Sequence, residues 1–182
     1  MEEYLIKHCA PTLAGIKIAN LFTYNCSCRD ELEQYVQKVN CLLNEKGVCA
    51  EVLRVHNKRA LIWVYRAVKM HSNLQRNEIK MFLRRYGYNT CEMQEVIKHL
   101  KQRLAKCATF PHEIGVFLGY PLADVLGFIK HKGKNSKCTG HWKVYNNEYE
   151  AKKLFGMYER CSELYSKLFS QGKQIMQLTV VA

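Results

Sequence analysis

Two β-like runs, VCAEVLRVH and RALIWVYRA, stand only two residues apart in this 182-residue chain, with Asn57 and Lys58 between them. Two short apolar runs joined by a two-residue polar link read as a β-hairpin. A hairpin commits the chain to an antiparallel pairing, and the surrounding sequence is helical. Arg29–Lys46 places Leu32, Tyr35, Val36, Val39, Leu42 and Leu43 at three- and four-residue steps, with Asp30 and Glu31 in the first turn and Gly47 at the end. Residues 68–107 read as two or three helical pieces broken near Gly87 and Asn89. Glu148–Ser170 reads as one long amphipathic helix carrying Leu154, Phe155, Tyr158, Leu164 and Leu168 on its apolar side. Helices interleaved with hairpin-like strands predict an α+β fold: a small, mainly antiparallel sheet with several packed helices. The remaining expectations are a short helix at Glu2–Cys9 ended by Pro11, a strand or extended segment within 11–25, a short strand in GHWKVYN, and a closing strand at Ile175–Val181.

The length predicts a single domain over residues 1–182, long enough to bury a core without disulfides or metal. No apolar run approaches the ~20 residues of a membrane span. The start, MEEYLIKHCA, has glutamates where a signal peptide carries lysines, so the expected location is the cytoplasm. Nine cysteines, an odd number with no Cys-x-x-Cys pair, point to reduced thiols rather than a disulfide framework. Cys9, Cys138 and Cys161 stand as alternatives between reactive thiols and core residues.

The net charge is +12, and residues 52–137 hold 17 basic against 5 acidic side chains. A basic block of this kind suits an acidic partner: nucleic acid, an anionic cofactor or small molecule, or an acidic redox protein. The segment PHEIGVFLGYPLADVLGFIKHKG, residues 112–131 in particular, has the apolar register of a helix-turn-helix corner, with Gly119 at the turn. A recognition helix needs base-reading side chains near its N-terminus. Here those positions hold Pro121, Leu122, Ala123 and Asp124, so any nucleic-acid binding is expected to be sequence-blind and salt-dependent.

Three strings, FPHEIGVFLGYPLADVLGFI, KCTGHWKVY and HCAPTLAGIKIANLF, resemble the domain-of-unknown-function family 3793, and the likeness spans nearly the whole chain. The resemblance implies a single cytosolic domain of anaerobic Firmicutes. The chain departs from the expected family pattern at Ile18 and at His141.

The candidate site residues are polar groups set in apolar runs. Lys17 lies between Ile16 and Ile18, Arg66 follows LIWVY, and Lys143 follows Trp142. A cation there must pair or reach solvent, because burying it alone is costly. His112 and Glu113, just after Pro111, add a group that can exchange a proton and one that can orient it. Trp142 and Tyr145 offer aromatic surface. Together, Lys17, Arg66, His112, Glu113, Trp142, Lys143 and Tyr145 are expected to hold an anionic small molecule or redox cofactor. The alternatives are a nucleic-acid-binding regulator using the 52–137 block and a metal- or iron-handling protein. No phosphate loop, dinucleotide fingerprint or nucleophile elbow is present.

Overall fold

A computed structural model describes residues 2–106 and 110–181. Cys107, at the end of one expected helix, lies outside them. The hairpin forms as the sequence requires: β2 (Val48–His56) and β3 (Arg59–Arg66) pair antiparallel, with His56 opposite Arg59. Asn57 and Lys58 both take positive φ, 47° and 57°. That is the type I′ geometry whose twist matches the strands. β1 (Ala19–Asn25) adds antiparallel on the other side of β3, giving the order β1-β3-β2.

Because β3 is central, both of its faces are covered. Ala60, Ile62 and Val64 belong to one core, packed beneath α1 (Glu2–Leu13), α2 (Arg29–Leu43), α8 (Glu148–Ser170) and α9 (Ile175–Leu178). Trp63 and Tyr65 belong to a second core. Its helices are α3 (Ala67–Gln75), α4 (Asn77–Arg84), α5 (Met93–Lys106), α6 (Ile114–Phe117) and α7 (Leu122–His131). This is the α+β arrangement that the sequence predicts. A third, smaller cluster joins Trp142, Val144, Ala151, Phe155 and Tyr158. It packs the N-terminal half of α8 against a two-stranded ribbon, β4 (Cys138–Thr139) and β5 (Lys143–Val144).

Four expectations are corrected. α1 does not stop before Pro11 but continues to Leu13. Cys9, Ala10, Pro11, Thr12 and Leu13 are all buried, so burial of the last turn outweighs the donor that proline lacks. The extended segment within 11–25 accordingly shortens to Ala19–Asn25. The closing strand at 175–181 is instead the single-turn α9, where Gln174 and Gln177 form a reciprocal capping box. The strand in GHWKVYN contracts to Lys143–Val144, for a reason that lies in the site. In the 112–131 segment the first helix, α6, is only four residues long. Gly119 does take the left-handed turn position, φ 75°, packed against Ile18.

Candidate functional site

The second and third cores meet at a cavity of about 320 Å³ between α7 and the β4–β5 ribbon. Phe110, Tyr120, Phe128 and Trp142 supply its aromatic wall, with His112 and Lys143 also among the lining residues. Trp142 stacks on Tyr120 (5.0 Å between centroids) and meets Phe155 edge-on (4.5 Å). His112 is exposed and packs edge-on against Phe128 at 5.1 Å. Lys143 is exposed and donates from Nζ to the Gly133 carbonyl at 2.7 Å, which leaves two ammonium protons for other acceptors.

Asp124 holds the two walls together. It is 3% exposed and accepts three N–H groups: Trp142 Nε1 at 2.8 Å, the Tyr145 amide at 2.8 Å and the Asn146 amide at 2.9 Å. Those two amides follow directly on Val144, so the backbone donors beyond β5 go to the carboxylate instead of to a partner strand. It also means that α7 turns its first acidic residue into the protein rather than towards a nucleic-acid backbone. Gly140 lies so close to the Phe155 ring that no side chain fits there.

Lys17 lies beside this cavity. The loop after α1 carries it against the 119–120 turn, and its Nζ stands 5.7 Å from the ring centroids of both Tyr120 and Tyr158. It is only 6% exposed, and no carboxylate pairs with it among the described residues. Burial pulls its pKa down to about 8, against a small opposing pull from Cys9. His141 stacks edge-on to Tyr158 at 5.1 Å, and its pKa is lowered by burial and then by the charge of Lys17. Burial holds the Tyr120 hydroxyl up at about 12. Burial likewise pushes the Cys9 thiol far up, which makes it a core residue rather than a reactive one.

A lysine whose folded pKa is below its unfolded one opposes folding while both states are charged. The penalty is full below pH 8 and fades as pH rises towards the unfolded value near 10.4, where neither state gains by binding the proton. Lys17→Met is therefore expected to stabilise the protein by about 1–3 kcal/mol at pH 7, the upper end set by the shift and the lower by the two ring contacts. The gain should shrink steadily between pH 8 and 10 in urea titrations. A gain that is absent at pH 7, or constant with pH, would show that the buried ammonium has a hidden counter-charge.

The other expected site residues go elsewhere. Arg66 is 1% exposed, and its guanidinium donates to the carbonyls of Thr12, Leu13, Lys46 and Val180, so it clips α1 and the C-terminal tail to the end of β3. Glu113 is fully buried and paired with Arg103 Nε at 2.6 Å. Its Oε2 is buried with no hydrogen-bond partner among the described residues. Tyr145 stacks parallel to His131 at 5.6 Å. Of the seven, His112, Trp142 and Lys143 line the cavity and Lys17 adjoins it through Tyr120. Asp124, Tyr120, Phe128, Tyr158 and His141 are not among the seven. Asp124 in an apolar run, LADVLG, carries the same sequence signal as Lys17.

Among the described residues, no three His, Cys, Asp or Glu side chains gather as a metal site, and no helix is long and apolar enough to cross a membrane. The eight described cysteines form no disulfide with one another. The chain belongs to the family described as protein of unknown function DUF3793, whose model matches residues 5–179. No curated protein and no solved structure matches it.

Proposed function

We propose that this member of the DUF3793 family is a small-molecule-binding protein whose ligand joins a flat apolar body to an anionic end. The cavity walled by Phe110, Tyr120, Phe128 and Trp142 is the observation that carries the reading. Ligand sites are mostly apolar recesses of roughly 300–1,000 Å³ with a few placed polar groups. At about 320 Å³ this one suits a compound of one or two rings better than a flavin or a dinucleotide. Ring faces and edges favour a planar, aromatic occupant. Asp124 presents its oxygens to three N–H donors, so the charge left for a ligand is that of Lys143, with His112 beside it. Both favour an anion.

Salicylate, a single ring with a carboxylate, tests the proposal. It is expected to quench Trp142 fluorescence saturably, and Trp142→Phe should abolish the signal. Trp63 should not contribute, because it is fully buried and bonded to the Phe117 carbonyl. Lys143→Met should weaken binding about fivefold, the loss of roughly 1 kcal/mol of charge-assisted contact. Salicylamide, which keeps the ring and loses the charge, should bind more weakly than salicylate. Absence of saturable quenching by either compound would refute a ring-binding cavity. Equal affinity for both would refute the anionic end.

A further inference from the structure

We infer that Lys17 is a carbonyl-reactive amine, which condenses with the aldehyde or ketone group of a small molecule held against Tyr120. The inference deepens the ligand reading and rests on it for the position of the incoming carbonyl.

Lysine is a nucleophile only when neutral, and most lysines in water are not. Two features of this site favour the neutral amine: the side chain is 6% exposed, and no carboxylate pairs with it among the described residues. The rings of Tyr120 and Tyr158, 5.7 Å away, hold the ammonium far less strongly than an anion would. Desolvation without an anion is the usual means by which proteins activate lysine. The neighbouring groups are the Cys9 thiol, buried and held protonated, and the His141 ring, whose own proton affinity falls beside Lys17. His141 supplies no negative charge, and the pull of Cys9 on the ammonium is outweighed by burial.

The approach is set by Tyr120. Its ring lines the cavity and also lies over Lys17. Gly140 and Trp142 line the same cavity on either side of His141, so the amine stands behind the wall made by Tyr120 and the 140–142 turn. The half-buried Tyr120 donates its hydroxyl to the His141 carbonyl at 3.0 Å, and its ring rests on Trp142. Turning that ring aside opens the amine to the cavity.

The chemistry balances without a redox partner. The Nζ lone pair attacks the carbonyl carbon while the C=O π pair moves to oxygen. Proton transfer from nitrogen to oxygen gives a carbinolamine. Loss of water, which carries the carbonyl oxygen and both amine hydrogens, leaves a C=N bond to Lys17.

The probe is 4-carboxybenzaldehyde, a flat ring with an anionic end and a carbonyl. Wild-type protein is incubated with it and sodium cyanoborohydride, whose hydride fixes the imine as a secondary amine, and labelled peptides are mapped by mass. At pH 7.5 the neutral fraction of an amine titrating near 8 exceeds that of an ordinary lysine by on the order of 10². Even a hindered Lys17 is then expected to label about tenfold faster than the average exposed lysine, and salicylate should slow that label alone. Label spread over the exposed lysines with Lys17 untouched overturns the inference. If salicylate quenches Trp142 in that same preparation, the ligand reading survives it. Label at Lys17 that salicylate leaves unchanged overturns the approach from the cavity.

Discussion

Arg66→Met is expected to lower folding stability by about 3–5 kcal/mol, the range for removing one member of a buried ionic or multiply bonded group. The cause lies in what the guanidinium satisfies. Thr12 and Leu13 are the last residues of α1, whose final carbonyls have no intrahelical donor. Arg66 donates to both, to Lys46 at the end of the short 3-10 turn, and to Val180 in the C-terminal tail. Its own backbone N–H goes to Ile18 at 2.9 Å. Those carbonyl dipoles also offset a cation that pairs with no carboxylate among the described residues. Methionine fills the space but takes the donor from the Lys46 and Val180 carbonyls and leaves those of Thr12 and Leu13 one donor each, the Gly15 and Val180 amides; an unpaired buried acceptor costs about 1–3 kcal/mol. Arg66→Lys should recover only a minor part, since an ammonium cannot span four acceptors in a planar fork. Urea midpoints decide it: a loss below about 1 kcal/mol for Arg66→Met would show that the tail and α1 dock without the clip. Salicylate affinity of the folded fraction should stay unchanged, because Arg66 does not line the cavity.

The physical origin of each signal explains what the sequence disclosed. The hairpin, α2 and α8 were legible because their cues are local: a two-residue polar link, a 3.6-residue apolar period, an acidic first turn. The C-terminal segment misled because Ile175 and Leu178 fit a helical turn as well as they fit a ragged alternation, and only the Gln174–Gln177 cap decides between them. β5 is shorter than the sequence suggests, and the amides that follow it, those of Tyr145 and Asn146, go to a carboxylate 21 and 22 residues upstream, a partner no local pattern contains. Lys17 and Arg66 both stood out as cations in apolar runs, and both are buried. What separates them is the partner. One is surrounded by carbonyls and the other by aromatic rings, and those partners arrive from α1, the tail, the 119–120 turn and α8. Of the aromatic wall only Trp142 stood out, since Phe110, Tyr120 and Phe128 are ordinary apolar residues until the fold faces them to it.

Asp124→Ala should cost about 3–4 kcal/mol and also destroy ligand binding, a combination that Arg66→Met does not produce. Three donors converge on this one carboxylate, and two of them, Trp142 Nε1 and the Tyr145 amide, lie in buried or half-buried surroundings. Alanine removes the acceptor and leaves those N–H groups to find water, which the packing of Trp142 on Tyr120 and Phe155 excludes. The ribbon then keeps its two-residue pairing and its packing on α8 but loses the carboxylate that ties it to α7, and a pairing that short is not stable alone. Trp142 emission should shift to longer wavelength and salicylate quenching should vanish even at temperatures where the rest of the protein stays folded. Asp124→Asn separates geometry from chemistry. Its carbonyl can still accept from the two backbone amides, but its NH₂ then faces the indole N–H, donor against donor. The expected loss is about 1–3 kcal/mol. Trp142→Phe removes that opposing donor, so the pair Asp124→Asn with Trp142→Phe should be less damaging than the sum of the two by about 1 kcal/mol. Strict additivity in that cycle, or salicylate binding that survives Asp124→Ala, would show that the cavity does not depend on the carboxylate that bridges its walls.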